Sequence, residues 1–121
     1  MSTLRGSRPT VVIPCRDEAL ALPGVFSTIP GDMSVIVVDN GSVDGTAGVA
    51  RGLGATVVYE AVAGYGAAVQ AGILAATTPL VAVLDGDVDR PEFGGELVTV
   101  CRPHRASWYE CSSGPRIRAE G

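Results

Sequence analysis

The sequence contains no lysine, one histidine, one tryptophan and three cysteines in 121 residues, and aromatic side chains make up only 5%. Each shortage excludes something. Without lysine there is no G-K-[ST] phosphate-binding loop. Nine arginines stand against thirteen acidic residues, a net charge of -4. Such a chain lacks the basic face that nucleic-acid phosphates require, so no nucleic-acid partner is expected. Cys15, Cys101 and Cys111 are odd in number and lack C-x-x-C spacing, which argues against a disulfide framework or a zinc site. Three reduced thiols fit a cytosolic protein. No apolar stretch approaches a membrane span, and residues 1–9 lack the apolar centre of a signal peptide. A cytoplasmic protein is expected. His104, in a Pro/Arg-rich stretch without partner spacing, reads as a surface residue.

What is present is a globular composition, 46% hydrophobic, of a length suited to one core. Four β-rich runs stand out: residues 10–14 (TVVIP), 34–39 (SVIVVD), 56–60 (TVVYE) and 80–85 (LVAVLD). They are continuously apolar rather than alternating, as strands buried on both faces of a parallel sheet are. Helix-compatible segments lie between them, at 19–29, 46–53 and 65–76. Pro23 is tolerable only near a first turn, and Gly54 marks a C-terminal stop. Strands alternating with helices predict an α/β fold, a three-layer parallel sheet with right-handed crossovers. After Val100 the periodicity fades. Trp108 and Tyr109 are candidates for one more short strand, and residues 101–121 otherwise read as an irregular tail.

Ligands of open α/β sheets sit beyond the carboxyl ends of the strands. Polar residues gather there. The first run continues into Cys15-Arg16-Asp17-Glu18, the second ends on Asp39 and continues into Asn40-Gly41-Ser42, and the fourth ends on Asp85. In Asp39-Asn40-Gly41-Ser42-Val43-Asp44-Gly45-Thr46 a strand closes on a carboxylate and a glycine-rich turn opens a helix that Asp44 or Thr46 can cap. A carboxylate at the end of a buried strand needs a partner, and a base or ribose hydroxyl would serve. In Asp85-Gly86-Asp87-Val88-Asp89, carboxylates two apart can converge on one hard cation. Counted from Asp85, a calcium loop would need glycine at its sixth position, where Arg90 stands. Gly64-Tyr65-Gly66-Ala67-Ala68 opens an Ala-rich helix, with Val69 where a dinucleotide fingerprint has its last glycine.

Taken together and in this order, Val12 to Glu18, Val37 to Thr46, Gly64 to Ala68 and Val83 to Asp87 resemble family 2 glycosyltransferases. The similarity is greatest to the dolichyl-phosphate mannose synthase-like and bacterial glucosyltransferase-like members, and it covers about residues 10–100. It implies the glycosyltransferase A fold, here its Rossmann-like nucleotide-binding half, and transfer of a sugar from a nucleoside-diphosphate sugar. By position, Pro14, Asp17 and Glu18 would line the nucleoside pocket and Asp39 would contact the base. Asp85 would lie near ribose and metal. Asp87 would be the principal ligand of Mg²⁺ or Mn²⁺, helped by Asp89. A membrane-held lipid phosphate is one acceptor the resemblance suggests. Family members continue for at least as many residues again, and that half supplies the acceptor site. The expectation is therefore a truncated member, with a disordered stretch at 1–9, a nucleotide-sugar-binding domain at 10–100 and the tail at 101–121. The alternative function is an inactive nucleotide-sugar-binding module.

Overall fold

A computed structural model describes residues 9–31, 33–84, 98–103, 108–111 and 117–118. The first strand, β1 (Thr10–Cys15), leads through α1 (Leu22–Phe26) to β2 (Val35–Asp39). Then follow α2 (Thr46–Gly52), β3 (Thr56–Tyr59), α3 (Tyr65–Ala75) and β4 (Val81–Leu84). The four β-rich runs are thus the four strands, to within a residue or so at either end. They form a parallel sheet in the order β3-β2-β1-β4. The register sets Val12 level with Ile36 on one side and Val83 on the other.

Period-two alternation sends each strand's side chains to opposite faces. Val11, Ile13 and Cys15, with Val37 and Leu84, pack on Leu22 and Val25 of α1 and Ala50 of α2. Val12, Ile36, Val38, Val81 and Val83 pack on Ala68, Val69 and Ile73 of α3. The result is the expected three layers. Each fully buried Val, Leu or Ile contributes about 1.5–3 kcal/mol. α3 approaches the sheet at Gly72, where an added Cβ would lie 2.3 Å from Val12 Cγ1. Glycine is required there by contact distance, since its backbone is ordinary helix.

α1 is shorter than the 19–29 reading, for identifiable reasons. Pro23 lies in its first turn, so the helix begins no earlier than Leu22. The Ala19 amide is drawn away to Asp44 Oδ2, at 3.3 Å. At the other end the hydroxyls of Ser27 and Thr28 donate to the carbonyls of Gly24 and Val25, which stops propagation. α2 ends as expected at Gly54, whose φ is +99°. The Ala55 amide reaches Ala50 O and the Gly54 amide reaches Arg51 O, the double closure of a Schellman turn.

The region expected to be irregular departs from that reading. β5 (Val98–Pro103) pairs antiparallel with β4, β6 (Trp108–Cys111) with β5, and β7 (Ile117–Arg118) with β6. The strand anticipated around Trp108 and Tyr109 is present. Short antiparallel strands carry no long apolar run like those of the central four, so their signal in the sequence is weaker. Of the stretch expected to be disordered, 1–9, only Pro9 is among the described residues.

Candidate functional site

Three loops leave the carboxyl ends of β1, β2 and β3, at 16–21, 40–45 and 60–64. The first two are joined side chain to backbone. Asp17 Oδ1 accepts from the amides of Val43 (2.8 Å) and Asp44 (3.3 Å). In return the Asp17 amide donates to Ser42 Oγ (2.9 Å) and the Glu18 amide to Thr46 Oγ1 (3.0 Å). Asp17 has φ +55°, a left-handed conformation uncommon outside glycine but tolerated by Asp and Asn. That backbone kink turns its carboxylate toward the second loop.

The second loop is also shaped from within. Asp39 is 7% exposed, and its Oδ1 accepts from the Ser42 amide at 2.9 Å. Gly41, at φ +87°, supplies the left-handed turn that follows. The Thr46 amide and hydroxyl both donate to Asp44 Oδ1. The N-cap position itself is Gly45, so neither anticipated residue occupies it; Asp44, one residue earlier, accepts from the first amide of α2. The hydrogen bond from the Thr46 hydroxyl holds the Asp44 carboxyl below its ordinary pKa.

The third loop is tied to the second by Asn40. Its backbone amide donates to Cys15 O (2.9 Å), bridging β2 to β1. Its Nδ2 donates to Glu60 O (2.9 Å) and Val62 O (2.8 Å), and its Oδ1 accepts from the Gly64 amide (3.0 Å). The individual role of Asn40 was not anticipated. The available signal was a polar residue directly after a buried strand.

Between these loops and the start of α3 lies an open cleft of about 260 Å³. It is lined by Pro14, Cys15, Arg16, Glu18, Asn40, Gly64, Tyr65 and Ala68. Of the anticipated donor-binding residues, Pro14 and Glu18 line it. Asp17, which is exposed, and Asp39 are not among its lining residues, and each has a carboxylate oxygen engaged by amides of the second loop. Asp85, the third strand-end carboxylate, and the anticipated metal ligands Asp87 and Asp89 lie outside the described residues. Among the described residues no group of three His, Cys, Asp or Glu could hold a metal ion. No described helix is long and apolar enough to cross a membrane.

A larger cavity of about 470 Å³ lies at the opposite end of the sheet, lined by residues that include Phe26, Ile29, Pro30, Met33 and Leu53. Its described lining contains no titratable side chain. The smaller cleft, by contrast, has Arg16 and Glu18 in its lining.

The sequence matches the family described as glycosyl transferase family 2 over residues 10–92. Over 84 residues it is 54% identical to uncharacterised glycosyltransferases of Mycobacterium bovis and Mycobacterium tuberculosis. That stretch is 69% of this chain and 38% of each relative, so the chain spans well under half their length. Among solved structures it resembles glucosyl-3-phosphoglycerate synthase of M. tuberculosis, in complex with Mn²⁺, UDP and glucosyl-3-phosphoglycerate. The TM-score is 0.62 at 26% identity, over 71% of this chain and 36% of that one. It also resembles mannosyl-3-phosphoglycerate synthase from Rubrobacter xylanophilus, with TM-score 0.63 at 28% identity, over 72% and 33% of the two chains.

Proposed function

This chain is a member of glycosyl transferase family 2, and we propose that its carboxyl-edge cleft binds the nucleoside-diphosphate part of a sugar donor. The observation that carries the reading is the cleft itself, built where β1 and β2 end and α3 begins. The reaction would transfer the sugar to an acceptor whose nucleophile attacks the anomeric carbon as the diphosphate leaves. In this reading Pro14 and Glu18 contact the nucleoside directly. Asp17 acts through the loop it holds, and Asp39 both braces that loop and contacts the base. Asp85 would face the ribose.

Asp87 and Asp89 offer hard carboxylate oxygens, the donor type that Mg²⁺ and Mn²⁺ prefer, and they would hold the cation. When bound, it supplies Lewis-acid stabilisation to the leaving diphosphate. Glu18 and the acidic run at 85–89 would repel a bare diphosphate, which is why a cation is part of the reading. A structural neighbour has been solved with UDP-glucose, Mn²⁺ and phosphoglyceric acid, which supports a UDP-sugar donor and a phosphate-bearing acceptor here. A lipid phosphate belongs to the same chemical class.

The test is calorimetric titration of UDP, GDP and UDP-glucose with Mn²⁺, with Mg²⁺ and with chelator. Binding should need the cation, and Asp87→Ala should weaken it by more than about tenfold. Equal binding in chelator, with Asp87→Ala unaffected, would sink the proposal. Binding without sugar release would assign donor recognition alone to this chain.

A further inference from the structure

We infer that Asn40 is a positioning residue for the donor cleft, acting through the 60–64 segment rather than on the donor itself. The inference rests on the donor-binding reading of that cleft. Residues 60–64 lie between β3 and α3 and belong to neither. Residues 61–64 are exposed. Other bonds of the segment are the Val62 amide to Glu60 Oε2 at 2.8 Å, the Glu60 amide to Asp39 O at 3.1 Å and, from α3, the Ala68 amide to Gly64 O at 3.1 Å. Asn40 adds three more from one planar amide, at Glu60, Val62 and Gly64. It is itself only 9% exposed and anchored by its backbone to β1.

The chemistry is specific to an amide. Two donors must meet two carbonyls while an acceptor meets an N–H, all from one short side chain. Aspartate supplies acceptors only, and alanine supplies nothing. The bond to Gly64 matters most for the cleft. Gly64 has φ +124°, is the N-cap of α3 and lines the cleft beside Tyr65. Glycine brings no side chain to cap that helix, so the residue that starts α3 is held from outside, by Asn40 Oδ1. Freed from it, 60–64 samples many conformations, and donor binding must then order the wall of its own site.

The test compares the unaltered chain with Asn40→Ala and Asn40→Asp by titration of UDP in the presence of Mn²⁺. Amide hydrogen exchange and thermal melts are followed in parallel. Asn40→Ala should raise the Kd for UDP about tenfold, the size expected when bonds that preform a site are lost, and Asn40→Asp, which keeps an acceptor for Gly64 but loses both donors, should raise it less. In Asn40→Ala the Gly64 amide should exchange faster while the β1 amides stay protected. If the unaltered chain binds UDP and both variants bind it equally well, the inference is overturned and the donor reading stands. If the unaltered chain does not bind UDP, the donor reading fails and the inference falls with it. Should neither variant fold, the unaltered protein still decides. The Gly64 amide should be protected before UDP is added, and exchange there as fast as at exposed Ala63 overturns the inference.

Discussion

At the carboxyl end of the parallel strands, loops distant in sequence are fastened to one another, whereas at the amino end most turns close on themselves. Asp17 reaches Val43, Glu18 reaches Thr46, and Asn40 reaches Glu60, Val62 and Gly64. At the other end Ser27 and Thr28 bond to carbonyls three residues back, and Gly54 and Ala55 close on the helix they end. Long-range exceptions there are the Thr10–Thr78 pair and the backbone bonds from Thr10 to Leu80 and from Val11 to Ser34. The cavity at the amino end has no charged side chain in its described lining, whereas the carboxyl-end cleft has Arg16 and Glu18. Apolar contact is non-directional and tolerates repacking. Hydrogen bonds between loops are directional and fix several loops relative to one another. A site that binds a diphosphate and a cation, as proposed for this cleft, would need the second kind, because ordering the loops at the moment of binding would consume affinity.

Four perturbations bear on this contrast, beginning with the one of largest effect. Gly72→Ala acts on neither end but on the seam between α3 and the sheet. Overpacking against Val12 costs about 1–3 kcal/mol, and alanine in a helix returns at most about 1. The net loss of about 1–2 kcal/mol should appear in chemical denaturation and lower amide protection at both ends alike. Adding Val12→Ala should recover part of it, and an unchanged midpoint for Gly72→Ala would contradict the contact.

Asp17→Ala should act on the carboxyl end alone. It removes the acceptor for two amides and leaves alanine at a left-handed φ, a combined loss of about 1 kcal/mol. Asp17→Asn should be nearly silent, because asparagine tolerates that conformation and keeps an acceptor. Exchange at the Val43 amide reports both. Equal effects of the two substitutions would show that charge, not geometry, joins these loops.

Acid should also separate the two ends. The Asp44 carboxyl has its pKa lowered by the Thr46 hydroxyl, so folding favours its charged form. That contribution is present above the ordinary carboxylate pKa and is lost as pH falls through the lowered one. Exchange at the Ala19 and Thr46 amides should rise in that acidic window, while Gly54 and Ala55 remain unchanged. A uniform rise would mean global unfolding instead. The smallest effect expected is Thr28→Ala, which removes one local hydroxyl bond at an exposed position. It should shift the denaturation midpoint by no more than about 0.5 kcal/mol and leave the cleft untouched. A UDP affinity that responded to Thr28→Ala would couple the two ends and break the contrast.

The four parallel strands, the stop at Gly54 and the start of α3 were legible because each is a local property. Continuous β-branched runs mark strands buried on both faces, and a glycine in the left-handed region marks a helix end. The antiparallel strands from Val98 onward were barely legible, since they lack such runs. In the site, Glu18 could be placed because it lies just past the end of a strand at the ligand edge, and Pro14 through the family resemblance. The work of Asp17 and Asn40 could not. Their partners lie 20 to 27 residues away, and no local pattern names them.

By itself the sequence determined the layers, the parallel sheet and the edge at which polar residues collect, because periodicity and turn chemistry act between near neighbours. Only the tertiary structure decided which of those polar residues face the cleft and which brace it. Burial and hydrogen-bond geometry depend on how separate loops meet. That meeting turned Asp17 inward on the second loop and made Asn40 the tie that holds the start of α3.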